Sequence, residues 1–481
     1  MKKYMGSIIA CVVLIGGLVG LYMFNEAQKA GEENGSTPSP ATQTALIALP
    51  AAEVVRLETV KDGLVSVLVK DAAGAWRLEH SDAPIAYTAV TGLINGICNA
   101  TAEVLREDAG DLAGYGFTPA TAIHTVTLAD GTAATLRLGG LTPAQDAYYA
   151  MIDGFPTLYL MNIGVAAQVN RGLAEVLDKE MMTVTAESVE YMTFQVRGQS
   201  LVHAEKNPAD EVMLNGTPYT PLKMVSPVSG KDIYMDPMKT YLVEPLADIA
   251  LETFVCEATP ENLTLYGFDD PALTLVFEGA AEQAGMRYRY HLAVGNDVNT
   301  DPARCYVLYE GIPYIFTTDA AVLKTMAGTS ALQLVDRFVS FVIITTVDSI
   351  TVDSRERGVT HEMALTHSTE TAATGDPRAV IAPVVNGQPV QDAAFRDFYG
   401  ALGGMSFDLL AETFEPTGEP ALVITYRLNT GAADVVDAYY EYDNNFYIIA
   451  KGDTGALLMN KQYVNGMLDA VDDLLVGKLD E

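Results

Sequence analysis

Histidine and acidic side chains are the residues of this chain that could bind a metal or transfer protons. His361-Glu362 followed by His367 is similar to a zinc-protease helix, but that motif needs two histidines four residues apart on one helical face. His361 and His367 are too far apart for this. Short acidic clusters also occur, at Asp269-Asp270, at Asp297 with Asp301, and at Asp472-Asp473. None of them forms the regular ladder of a calcium loop, so we predict solvated charge and no metal site.

Sequence signatures of nucleophilic catalysis and of nucleotide binding are also missing from this sequence. It contains no G-x-S-x-G elbow. The glycine pairs Gly139-Gly140 and Gly403-Gly404 lack the further glycines and the lysine of a phosphate-binding loop. We therefore predict a protein that is not an enzyme and that needs no cofactor.

Paired tyrosines are the remaining candidates for a functional surface. Tyrosine is enriched at protein interfaces because its ring is apolar while its hydroxyl forms hydrogen bonds. Alternate residues of a strand point to opposite faces, so some of these tyrosines are expected to face the core instead. The predicted binding surface consists of Tyr148, Tyr149, Tyr306, Tyr439 and Tyr440.

These tyrosines lie in predicted hairpins that recur in three stretches of sequence. Each stretch has a strand-like opening, an amphipathic helix, a turn, alternating strands, the tyrosine hairpin and a second helix. Asp153-Gly154, Glu310-Gly311 and Asn444-Asn445 supply the hairpin turns. Pro245 weakens the first helix of the middle stretch. We predict an α+β fold of three tandem repeats, each with an antiparallel sheet and two helices.

A second turn is repeated almost letter for letter. The first copy runs from Tyr115 to Ala120, and the second from Tyr266 to Ala272. Its glycine permits a positive φ, its proline sets the entry to the next strand, and its aromatic residues are expected to fill the core. We assign a structural role to Tyr115, Gly116, Phe117, Pro119, Tyr266, Gly267, Phe268 and Pro271.

The chain is strongly acidic. It carries 62 acidic against 29 basic residues, which gives a formal net charge of −33. Such a surface repels phosphate backbones and anionic lipid head groups, so nucleic acid is excluded as a partner. Beyond the N-terminal stretch the cysteines are Cys98, Cys256 and Cys305, which is not a disulfide framework. Buried thiols are favoured, and a Cys256–Cys305 bridge is the alternative.

The N-terminal stretch from Ser7 to Phe24 is almost entirely apolar. As a helix it would be about 27 Å long, close to the hydrocarbon core of a bilayer of about 30 Å. Basic residues precede it and acidic residues follow it, which predicts a cytoplasmic N-terminus and an extracytoplasmic body. A cleaved signal peptide is the alternative, but no A-x-A site follows. Gly16 and Gly20 form a G-x-x-x-G pair that could contact a second membrane helix.

The predicted domains follow from these segments. Residues 1–24 form a cytoplasmic tip and a transmembrane anchor, which is the chain's one contact with the lipid bilayer. Residues 25–44 are rich in Gly, Glu, Ser, Thr and Pro and form a flexible linker. Residues 45–180, 181–340 and 341–481 form the three repeats, and the last of these is divergent.

Several of these motifs together resemble one bacterial family. They are Gly74-Ala75-Trp76, the Tyr-Gly-Phe turns, the step Leu138-Gly139-Gly140 and the hairpin turn Asp153-Gly154. The family is a domain of unknown function, numbered four-three-four-zero, and the resemblance weakens toward the C-terminus. Its members are often encoded beside ABC transporters similar to those associated with gliding motility. The resemblance implies a transport-accessory or envelope role and supplies no catalytic residues.

We therefore expect a non-enzymatic, membrane-anchored, extracytoplasmic accessory protein of an envelope complex, located in the cell membrane. An ABC-type permease is the expected membrane partner. The alternative is a surface module that binds a glycan or a peptide through the tyrosine-rich hairpins.

Overall fold

The computed structural model describes residues 43–214, 217–281, 285–371, 377–411, 418–450 and 456–475. The chain divides into two compact units, and the division lies between Asp178 and Lys179. The predicted boundaries of the three repeats stay predictions.

The first unit contains one antiparallel sheet with the strand order β1-β5-β9-β8-β7-β6-β2-β3-β4. Its helices are α1 (Tyr87–Cys98), α2 (Ile163–Val169) and α3 (Leu173–Val176). The strands are β1 (Gln43–Ala45), β2 (Val54–Lys61), β3 (Leu64–Lys70), β4 (Trp76–Leu78), β5 (Thr101–Arg106), β6 (Ala122–Leu128), β7 (Ala133–Leu141), β8 (Ala147–Ile152) and β9 (Leu158–Asn162).

The second unit contains a sheet with the order β14-β11-β10-β16-β17-β18-β19-β15, and a separate pair, β12 with β13. The strands are β10 (Val189–Val196), β11 (Val202–Lys206), β12 (Val212–Leu214), β13 (Thr217–Tyr219), β14 (Leu222–Ser226), β15 (Thr253–Glu257), β16 (Leu273–Ala280), β17 (Arg287–Val298), β18 (Arg304–Tyr309) and β19 (Tyr314–Asp319). The helices are α4 (Met235–Met238), α5 (Pro260–Tyr266), α6 (Ala320–Ala327) and α7 (Ala331–Leu334).

The same unit contains a further sheet with the order β23-β22-β21-β20-β25-β26-β27-β28-β24. The strands are β20 (Val347–Ser354), β21 (Val359–Thr371), β22 (Pro377–Val385), β23 (Gln388–Pro389), β24 (Leu409–Ala411), β25 (Leu422–Leu428), β26 (Val435–Glu441), β27 (Phe446–Ala450) and β28 (Ala456–Asn460). Helices α8 (Asp392–Gly403) and α9 (Lys461–Leu475) contact each other. Short 3₁₀ turns, Ala51–Glu53, Ala186–Ser188 and Ile344–Thr346, precede β2, β10 and β20.

Alternating side chains explain the strands, and apolar stripes explain the helices. In β6 every second residue is buried, from Ala122 to Leu128. Helix α1 turns one apolar stripe to the core, formed by Val90, Leu93, Ile94 and Ile97. β6 and α1 thus each contribute one apolar side to the core of the first unit.

The predicted fold class is wrong. The described part of the chain is mostly antiparallel and contains four sheets, with 43% strand and 24% helix, and it is not three repeats with two helices each. The second helix of the first stretch and that of the middle stretch are shorter than their apolar patterns suggest. The helix predicted after the first tyrosine hairpin breaks into α2 and α3, because Asn170 and Gly172 interrupt it.

The predicted membrane localisation also requires correction. Within the ranges that the structure describes, no helix is long and apolar enough to cross a bilayer. The predicted anchor at residues 7–24, with Gly16 and Gly20, lies outside the described residues. The prediction of a single-pass membrane protein is therefore not supported.

Candidate functional site

The Tyr-Gly-Phe turn of the first unit packs backbone against backbone. Gly116 has a φ of +75°, and a Cβ atom on it would lie 2.6 Å from the amide nitrogen of Gly140. A Cβ atom on Gly139 would lie 2.5 Å from the carbonyl oxygen of Tyr115. Both approaches are too close for any side chain, so glycine is required on each side of the contact. Phe117 is buried beside it, whereas Pro119 is exposed.

The second unit builds the same contact from the second copy of the turn. Gly267 has a φ of +88° and lies against the side chain of Asn296. A Cβ atom on Gly295 would clash with the carbonyl oxygen of Tyr266. Phe268 and Pro271 are half-buried in this turn. The turn after α5 is therefore packed against β17 at Gly295 and Asn296.

The tyrosine hairpins complete these turns. The rings of Tyr115 and Tyr149 meet edge to face with centroids 4.9 Å apart, and the rings of Tyr266 and Tyr306 lie 4.6 Å apart. Contacts of this geometry stabilise aromatic pairs beyond their buried area. Tyr149 and Tyr306 are therefore engaged within the protein.

Tyr439 is completely buried on the core face of its own sheet, so its predicted place on a binding surface is wrong. It occupies a core-facing position of β26, next to Tyr447, with ring centroids 6.4 Å apart. Tyr148 and Tyr440 are half-buried. For these two and for Tyr149 and Tyr306, a binding role stays a prediction.

The structure brings two of the residues considered for metal chemistry close together, because His361 Nε2 lies 3.9 Å from Asp472 Oδ1. His361 and His367 both lie on strand β21, where His361 contacts the Asn386 amide at 3.2 Å and His367 contacts the Val347 carbonyl oxygen at 2.6 Å. Among the described residues no group of three or more histidine, cysteine, aspartate or glutamate side chains could hold a metal ion. Cys98, Cys256 and Cys305 are free thiols, and no bridge joins the last two.

A groove of about 700 Å³ is a candidate site of the second unit. One wall is the entry segment, which we define as residues 179–187, the stretch leading into β10. The other is the helical wall, residues 239–251. Grooves of this volume accommodate small ligands or side chains of a bound peptide.

The entry segment is fixed over a row of aromatic rings on the sheet. Tyr290 and Tyr309 are neighbours in this row, with centroids 5.2 Å apart. The Tyr290 hydroxyl donates to Met181 Sδ at 3.9 Å, and the Met182 amide donates to the Tyr309 hydroxyl at 3.1 Å. Burial raises the pKa of the Tyr309 hydroxyl, so it stays protonated at neutral pH. Lys179 Nζ lies 5.5 Å from the ring centroid of Phe316.

The helical wall changes its conformation along its length. Residues 235–238 are α-helical, Lys239–Val243 are π-helical and Glu244–Asp248 form a 3₁₀ helix. Pro245 has no amide hydrogen to continue an α-helical pattern, which accounts for the 3₁₀ form of the last part of the wall. Leu246, Ile249 and Leu251 are buried along this wall, while Ala247 and Ala250 are exposed.

In the first and the last sheet, a backbone hydrogen bond joins the segment before the first long strand to the chain that follows the first helix. The groove lies at the equivalent place in the middle sheet. In the first sheet the Leu46 amide donates to the Ala100 carbonyl at 2.9 Å. In the last sheet the Val339 amide donates to the Met405 carbonyl at 3.0 Å. Met181 stands at the corresponding place before β10, and Ala250 at the corresponding place after the helical wall, but no such bond joins them.

Sequence reasoning gave no groove residue a functional role, and it used Ile249 only as part of an apolar helical pattern. Met181 and Met182 lie outside the predicted strands, and Ala247 and Ala250 carry no chemistry of their own. The one available signal was Pro245, which predicts an irregular helix at this point but not a groove.

Fold and site together define an antiparallel β protein with an apolar groove of binding-site size. Residues 76–255 match the model of a family described as a domain of unknown function (DUF4340). The matched region runs from β4 to β15 and includes both walls of the groove. The family resemblance predicted from the sequence is thus confirmed over these residues. No curated protein and no solved structure matches the chain.

Proposed function

We propose that this protein acts by binding another protein, without catalysing a reaction, as an accessory component of an envelope complex. The partner we propose is an ABC-type permease, as the family resemblance implies. The observation that supports a binding role is the groove between the entry segment and the helical wall.

The lining of the groove suits a protein partner. Met182 is 39% exposed at the groove although its backbone is fixed by Tyr309. Methionine side chains adapt to irregular apolar surfaces and are over-represented at binding sites. Exposed Ala247 and Ala250 on the opposite wall leave room for side chains of a partner.

The alternative, binding of a glycan or peptide through the tyrosine hairpins, has less support. Tyr149 and Tyr306 stack on the turns of their own units, and Tyr439 is buried. Only part of the predicted surface is therefore open to a ligand.

Co-purification tests the proposal. The tagged full chain is expressed with the candidate permease and isolated in mild detergent, and the retained permease is quantified. Ala250→Trp fills the groove and should reduce retention about tenfold, equivalent to about 1.4 kcal/mol. Ala209→Trp changes an exposed alanine elsewhere in the same unit and should have no effect. Equal retention by both variants, or none by the unmodified protein, would contradict the proposal.

A further inference from the structure

One backbone acceptor in the groove lacks the partner that its counterparts have. The carbonyls of Ala100 and Met405 each accept a hydrogen bond from a backbone amide. That amide lies in the segment that leads into the first long strand of the same sheet. Ala250 holds the same position in the second unit and is exposed on the groove. Its carbonyl oxygen accepts no protein hydrogen bond in the described part of this unit. The groove thus contains an unused site for backbone pairing.

The first sheet shows what can occupy such a site. There β1 pairs with β5 in antiparallel register, with Gln43 opposite Glu103 and Ala45 opposite Thr101. The bond from Leu46 to Ala100 continues this short ladder. Strand β15 is the counterpart of β5, since both are the strands that follow the helical region and pair with the second strand of the tyrosine hairpin. In the residues that the structure describes, β15 is the last strand of its sheet.

We infer that the groove binds an extended peptide segment of the partner, which pairs with the backbone at Ala250 and lies along the edge that leads into β15. This inference rests on the proposed function and specifies how the partner is held. An added strand gains affinity from backbone hydrogen bonds and gains specificity from alternate side chains that enter pockets. Met182, Leu246 and Ile249 supply an apolar surface for those side chains.

The excess of acidic side chains around the groove favours a bound segment with basic residues at its ends. Glu180, Glu187 and Glu244 line the groove together with Lys179 and Lys239. Asp248 is exposed beside the helical wall, Glu252 is exposed there but paired with Arg304, and the chain as a whole has a net charge of −33. A segment with apolar residues at alternate positions and lysine or arginine at its ends complements this surface.

The probe is a synthetic seven-residue peptide with valine at alternate positions, threonine between them and lysine at both ends. Calorimetry with the full chain measures its affinity, and hydrogen exchange locates it. Bound peptide should slow amide exchange in residues 179–187 and 249–254. Ala250→Trp should weaken binding about tenfold, and Ala209→Trp should change it less than about twofold.

Two matched peptides test the mode of binding. Replacing the central valine by proline removes a backbone donor and should abolish the slow exchange. Replacing the terminal lysines by glutamates should weaken binding, and the difference should shrink as salt is raised. Equal binding of the proline peptide, or protection only at other sheet edges, would overturn strand pairing.

The outcome is separable from that of the proposed function. If Ala250→Trp releases the permease but the lysine peptide gives no slow exchange in residues 249–254, the binding role stands and strand pairing is wrong. If the permease is not retained at all but the peptide binds, the groove binds strands and the proposed partner is wrong.

Discussion

His124 is a fully buried histidine of the first unit, and its titration should make the stability of that unit depend on pH. Its Nε2 lies 2.6 Å from the carbonyl oxygen of Val169, and its Nδ1 lies 3.0 Å from Thr59 Oγ1. A carbonyl oxygen only accepts, so Nε2 carries the proton and Nδ1 accepts from the Thr59 hydroxyl. Burial lowers the pKa of His124 from 6.5 to about 4, because the charged ring loses its hydration.

The sign of the effect follows from the lower pKa of the folded state. Between pH 6.5 and 4 the unfolded chain binds a proton at His124 and the folded chain does not. The stability that the neutral ring contributes is therefore complete above pH 6.5 and is lost as the pH falls toward 4. The pKa difference corresponds to about 3 kcal/mol in total, of which about 2 kcal/mol is lost between about pH 8 and about pH 5.

Urea unfolding followed by tryptophan fluorescence measures this loss. Trp76 is the single tryptophan of the chain, lies in the same unit and is 7% exposed, so its emission reports unfolding of that unit. At about pH 8, His124→Gln should be less stable than the natural protein, and by about pH 5 the difference should have shrunk by about 2 kcal/mol. His80→Gln removes a histidine whose side chain is 83% exposed and should behave like the natural protein. A difference for His124→Gln that stays constant with pH would refute the reasoning.

Three further perturbations test the packing of the described structure. Gly139→Ala forces a Cβ atom against the Tyr115 carbonyl and should lower the free energy of urea unfolding by about 3 kcal/mol. Gly114→Ala, which has open space around it, should lower it by less than about 0.5 kcal/mol. Equal losses would contradict the close-contact argument. Burial raises the pKa of the Cys305 thiol to about 11, which leaves little reactive thiolate. In a Cys11→Ser variant at about pH 8, iodoacetamide should therefore modify half-buried Cys256 first and Cys305 only after unfolding, as measured by mass spectrometry. Early modification of Cys305 would count against its burial. Ser340→Ala removes a donor 2.7 Å from the buried Asp437 carboxylate and should lower the free energy of unfolding by about 2 kcal/mol, measured by circular dichroism in urea. Ser368→Ala, at an exposed strand position, should leave it unchanged. No loss for Ser340→Ala would show that the hydrogen bond is not stabilising.

Local turn chemistry was the part of the fold most accessible from the sequence. Gly116 and Gly267 both adopt positive φ, as do Gly154 and Gly311 in the tyrosine hairpins. Such positions are encoded by a single residue, because only glycine adopts the left-handed region without strain. Prediction of local conformation therefore succeeds where one residue decides the outcome.

The balance of helix and strand was not accessible in the same way. Apolar spacing suggested long helices, but Asn170 and Gly172 divide one of them, and Pro245 changes the form of another. Tyr439 shows the same limit for a single side chain. Its alternation in β26 is compatible with either face, and only the covering of that face by other elements decides that it is buried.

Pro245 links the sequence of the helical wall to the groove. A 3₁₀ helix rises about 2.0 Å per residue instead of about 1.5 Å, so Glu244–Asp248 span about 2.5 Å more than five α-helical residues would. In the first and the last sheet, the equivalent helices α1 and α8 are regular α-helices. The carbonyls of Ala100 and Met405, which follow these helices, accept hydrogen bonds from the amides of Leu46 and Val339. A hydrogen bond near 3 Å does not survive a displacement of that size. The 3₁₀ conformation that begins beside Pro245 thus places Ala250 differently from its counterparts, and within the described residues its carbonyl accepts no such bond.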